Sequence, residues 1–123
     1  INWFSEHVNQ DQVNHSVFMH IPLQQFDVTE GYTGIYREKM VYSQGKDEGF
    51  FDTAVTLDKT DGIFVGHDHL NDFSIVIDDI LLAYGRATGY NGYGDLERGA
   101  RTITISETYT LISDIILSSE VNS

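Results

Sequence analysis

Two short, unbroken apolar runs, each leading onto a histidine, constrain this chain more than any other feature. The first is Val17-Phe18-Met19 before His20; the second is Ile63-Phe64-Val65 before Gly66-His67. A run this short and without alternation suits a strand covered on both faces. If the two runs are neighbouring parallel strands, His20, His67 and His69 converge at one sheet edge. That edge, at the carboxyl ends of the strands, is where α/β sheets gather their ligands. His67 and His69 are two residues apart, so in extended backbone they project to the same side. Neutral imidazole is the commonest side-chain ligand for transition-metal ions. Gly66 permits a sharp turn just before the pair.

The remaining elements follow from periodicity. Phe4 and Val8, four apart with Trp3 beside them, predict one apolar stripe on a short amino-terminal helix. Phe50, Phe51, Ala54 and Val55 share a second helical face. Leu23 to Tyr42 reads as loop with at most one helical turn. Phe73 to Ile77 and Ile80 to Tyr84 flank Asp78-Asp79 as a hairpin. A glycine-rich loop runs from Gly85 to Gly99, and Arg101 to Ile105 and Tyr109 to Leu117 close the chain as two strands. The predicted order is helix, strand, helix, strand, then a four-stranded meander, within a single unit of 123 residues. The fold class is α/β with mixed α+β character. His7 and His15 fall in a polar helix and a polar turn and read as solvent histidines.

Charge and composition narrow the partners. Nineteen acidic against seven basic residues give a net charge of −12, which opposes nucleic acid and anionic membrane surfaces. With no cysteine, histidine and carboxylate are the only strong ligands, and a disulfide scaffold is excluded. No apolar run approaches the ~20 residues of a membrane span. Localisation stays open.

Phe18-Met19-His20-Ile21-Pro22-Leu23 and Gly66-His67-Asp68-His69-Leu70-Asn71-Asp72 together resemble the last two motifs of the calcineurin-like metallophosphoesterases, in their purple-acid-phosphatase-like branch. Gly49-Phe50-Phe51-Asp52 and the loop from Tyr84 to Gly94 match that branch in type and order. The resemblance runs from about Trp3 to Ile105. It implies a four-layer α-β-β-α sandwich and a two-metal site, with divalent or trivalent iron, manganese or zinc ions activating a water that attacks a phosphate ester. It also implies that His20 and His67 ligate one ion and His69 the other. Asp68 should point the opposite way, to an outer layer or to solvent. Asn71 and Asp72 would hold the ligand loop in shape or cap a turn. Arg86 would contact phosphate or pair with one of the many carboxylates, and Tyr90 or Tyr93 would line a leaving-group pocket.

Other parts of the family pattern are missing. No Asp-x-His lies upstream of His20, Gly94-Asp95 comes too late in the order, and no Gly-Asn-His occurs. The chain also begins at Ile1. The expectation is therefore the carboxyl-terminal half of a metallophosphoesterase domain, partnered by an amino-terminal half that carries the remaining ligands. Two alternatives are a non-catalytic binding domain that kept this fold and a mononuclear protein using His20, His67 and His69.

Overall fold

The computed structural model describes residues 1–10 and 13–121. Helix α1 (Asn2–Gln10) buries Phe4 and Val8, the pair whose four-residue spacing predicts one inward face. Trp3 is not part of that stripe. It is 70% exposed and stacks on His7 at 4.4 Å. Helix α2 (Phe50–Leu57) carries Asp52 in its first turn, where a carboxylate complements the helix dipole. It ends at Asp58, a left-handed residue whose N–H caps the carbonyls of Ala54 and Val55. Phe4 of α1 meets Phe50 of α2 at 4.7 Å between ring centres.

The main sheet has four strands, β1 (His15–Phe18), β2 (Thr60–Val65), β3 (Ser74–Ile77) and β4 (Ile80–Tyr84), in the spatial order β1-β2-β4-β3. β1, β2 and β4 are mutually parallel, and β3 returns antiparallel to β4. The β1-to-β2 crossover contains α2, as a parallel pair requires. Between β3 and β4, Asp78 and Asp79 both take positive φ, 49° and 63°. Two such residues in succession make the two-residue turn whose twist matches a hairpin. A single 3-10 turn at Gln24–Phe26 interrupts the long loop before α2.

Side chains alternate across this sheet. Ile63, Val65, Leu82 and Tyr84 join Phe4, Val8, Phe51 and Ala54 in the core beneath the helices. Phe64 and Gly62 face the other way, onto a separate antiparallel pair, β5 (Gly99–Ile105) and β6 (Leu111–Leu117). A Cβ on Gly62 would stand 2.9 Å from Leu111 Cδ2 and from the Phe64 ring, so glycine there lets the two sheets approach. Arg101 stitches them, donating to the carbonyls of Tyr84 (2.5 Å) and Asp72 (2.6 Å) and to Ser113 Oγ (3.0 Å). Helix α3 (Ser118–Val121) is a single turn.

This mixed α/β arrangement is the expected class, and it is consistent with part of a metallophosphoesterase-like fold. Three expectations change. The last four strands do not form one meander, because β4 leaves its hairpin to pair with β2 while β5 and β6 make a sheet of their own. β1 is not covered on both faces. It is an edge strand, and Phe18 is 67% exposed while stacking on Phe64 at 5.2 Å. His15, read as a turn residue, starts β1 and is half-buried, its N–H on the carbonyl of Lys59.

Candidate functional site

Parallel pairing delivers two histidines to one place. β1 and β2 are in register through Phe18 and Phe64, Met19 N–H bonds the Phe64 carbonyl, and Gly66 N–H bonds the carbonyl of His20 at 3.0 Å. The ladder thus runs on past both strands, and the His20 and His67 rings meet edge-on at 5.3 Å. They stand at the carboxyl end of the sheet, where ligand sites form in α/β folds.

The backbone turns sharply at His67. Its φ is +74°, and Asp68 N–H bonds the Gly66 carbonyl two residues back at 3.0 Å. A bond of that reach around a positive-φ residue is a γ-turn. Holding a non-glycine residue there costs about 1–3 kcal/mol, and such strain concentrates at functional positions. Asp68, fully buried, sets the His67 ring: its Oδ1 lies 3.1 Å from His67 Nδ1. Its Oδ2 accepts the Tyr84 hydroxyl at 2.6 Å. Burial, and then the bond to Asp68, pushes the Tyr84 phenol well above its ordinary range. Asp68 therefore does not face solvent. Of the two positions left open for it, Asp68 takes the one behind His67, and Tyr84, which motif reading left unassigned, braces it; the signal available was a tyrosine ending an apolar strand.

The same γ-turn separates His69 from His67. A φ reversal interrupts extended alternation, so strand geometry is not what orients His69 here. His69 instead stacks on Tyr93, centres 4.1 Å apart and planes within 6°. Its Nδ1 reaches the Tyr93 carbonyl at 3.0 Å. The Tyr93 hydroxyl accepts the His69 N–H and donates to Glu38 at 2.6 Å, and Glu38 also accepts the Leu70 N–H. Partial burial, followed by the bond to Glu38, raises the Tyr93 phenol above its usual range.

Asn71 and Asp72 hold loops together, though at a distance from the imidazoles. Asn71 Oδ1 accepts the Glu38 N–H and its amide donates to the Glu38 carbonyl. Asp72 Oδ1 accepts the Ile35 N–H at 2.6 Å. Arg86 is not a phosphate contact in this fold: it is buried, its guanidinium 2.6 Å from Asp72 Oδ2, its Nε on the Glu97 carbonyl. Tyr90 is 79% exposed, and Tyr93 is the loop tyrosine that reaches a histidine. Acid gathers at the other end of the parallel strands, where Asp58, Asp61, Asp78 and Asp79 border one hollow.

Among the described residues, no three or more histidine, aspartate or glutamate side chains are grouped to hold a metal ion. The described residues therefore show no ready-made grouping for a dinuclear centre or for a three-histidine mononuclear one. What it offers is the His20–His67 pair, with His69 held separately. No described helix is long and apolar enough to cross a membrane.

No family model matches the chain, and no solved structure matches it significantly. Three curated proteins from Arabidopsis thaliana do. Probable inactive purple acid phosphatase 14 is 36% identical over 83 residues, covering 65% of this chain and 20% of that protein. Probable inactive purple acid phosphatase 29 is 34% identical over 93 residues, 72% of this chain and 24% of its own length. Probable inactive purple acid phosphatase 28 is 32% identical over 103 residues, with corresponding shares of 79% and 24%. The chain spans a fifth to a quarter of the length of these relatives.

Proposed function

We propose, because this chain is related to the purple acid phosphatases, that it is the carboxyl-terminal part of a phosphate-ester hydrolase fold. It contributes one side of a two-metal site, and an amino-terminal part contributes the other. The observation that carries this reading is the His20–His67 contact at 5.3 Å, placed at the ends of two parallel strands and backed by a buried carboxylate. Metal-ligating imidazoles are commonly braced by such an outer carboxylate. His20, His67 and His69 are the ligands this chain would supply, and bridging carboxylates would come from outside it. The cluster of aspartates at the opposite sheet end keeps its negative field away from an anionic substrate.

A second reading, favoured by the printed names of the relatives, is a domain that keeps the fold without hydrolysing anything. Calorimetric titration with Mn²⁺ or Zn²⁺ separates the two. The first reading expects the 123-residue chain to bind no more than one ion, weakly, with uptake lost in His67→Ala, and to leave an aryl phosphate intact. No uptake at all supports the second. Tight binding of two ions per chain, or turnover abolished by His67→Ala in this chain alone, would overturn the half-site.

A further inference from the structure

From the glycine-rich loop, Tyr93 engages His69 with its backbone, its ring and its hydroxyl at once. A carbonyl oxygen can only accept, so the 3.0 Å contact between His69 Nδ1 and the Tyr93 carbonyl requires the proton on Nδ1. That leaves Nε2 as the ring nitrogen with a free lone pair. Parallel stacking at 4.1 Å fixes the plane of the ring. The phenol, accepting from His69 N–H and donating to Glu38, fixes the backbone that carries it.

The loop is shaped for this contact. A Cβ on Gly92 would stand 2.6 Å from His69 Cε1, so any larger residue drives the ring away. Gly94 has φ +95°, and a Cβ there would stand 2.8 Å from Leu70 Cδ2. Arg98, buried, donates to the carbonyls of Gly92 and Gly94 at 3.0 Å each and of Leu96 at 3.3 Å. A buried guanidinium satisfied by loop carbonyls holds the loop's path as a fork holds three points.

We propose that Tyr93 is the positioning residue for His69, locking its imidazole as the Nδ1–H tautomer and so selecting Nε2 as the nitrogen available to a metal ion. The geometry stands whether or not His69 binds metal; only its purpose rests on the ligand reading above. A structural role for the loop alone would not require one tautomer.

Long-range ¹H–¹⁵N NMR of the imidazoles in the 123-residue chain reads this directly, at about pH 8.5, above the ordinary imidazole range. His69 is expected in the Nδ1–H form, against the Nε2–H form that unconstrained imidazole favours. Gly92→Ala should move His69 mainly to Nε2–H while the exposed His7 keeps its shifts. Tyr93→Phe, which retains ring and carbonyl, should produce a smaller change in the same direction. A wild-type His69 in the Nε2–H form overturns the proposal, as does an unchanged tautomer in folded Gly92→Ala. Metal titration of His69→Ala tests the ligand reading separately. Undiminished uptake there, with the wild-type tautomer locked, removes the purpose and leaves the positioning intact.

Discussion

Replacing Arg86 by methionine should destabilise this chain severely without touching a histidine. The side chains of Arg86 and Asp72 are 5% and 6% exposed, with N to O at 2.6 Å. Methionine matches most of the volume but leaves Asp72 Oδ2 buried without its paired guanidinium. Removing one partner of a buried pair costs about 3–5 kcal/mol, mostly from the charge left behind. The Ile35 N–H still serves Oδ1, which places the expected loss near the lower end, about 3 kcal/mol. For a domain of this size that corresponds to a Tm lower by about 10–15 °C. Urea unfolding followed by circular dichroism measures it. Arg86→Met/Asp72→Leu should recover part of the loss, because no charge is then stranded, although the Ile35 N–H loses its acceptor. The exposed Arg37–Asp95 pair, at 2.9 Å, is the internal control, and Arg37→Met should leave the transition where it is. A loss under about 1 kcal/mol for Arg86→Met, the size of a surface pair, would refute the argument and return Arg86 to the solvent as a candidate substrate contact.

Two further outcomes follow from the packing. Arg101→Ala should cost about 2–3 kcal/mol, as charge-assisted bonds do, and hydrogen exchange should rise first in β5 and β6, which lose their ties to Tyr84 and Asp72; uniform exchange across both sheets would contradict the stitching role. Stability should fall above about pH 10, the ordinary tyrosine value. There the unfolded chain releases the Tyr84 proton and the folded chain, whose phenol is raised by burial, retains it, so folding becomes less favourable as pH rises. Tyr84→Phe should flatten that alkaline slope in a pH series of unfolding midpoints, and an unaltered slope would assign it elsewhere.

Much of the fold was legible because local periodicity reports local burial. Phe4 and Val8, the α2 face, and the Asp78-Asp79 turn are all decided within a few residues of themselves. So was the placement of His20 and His67 after strands, since an apolar run ends where its cover ends. The identity of β1 as an edge strand was not legible. An apolar triplet looks the same whether its second neighbour is present or absent, and strand order is a long-range fact. For Arg86 phosphate contact and carboxylate pairing both stayed open for a related reason: nothing local shows Asp72 reaching it from fourteen residues away.

By itself, the order of residues determined the chemistry available to this protein: imidazoles at strand ends, no thiolate, and a glycine-rich loop rich in tyrosine. Tertiary structure alone decided how the histidines divide. The positive φ at His67 reverses the chain between two residues that extended backbone would have aligned. Parallel pairing of β1 with β2 then gives His67 to His20, and a loop some two dozen residues downstream gives His69 to Tyr93. Backbone direction at one residue, which side-chain identity does not encode, separates three histidines expected to converge into a pair and a singly held third.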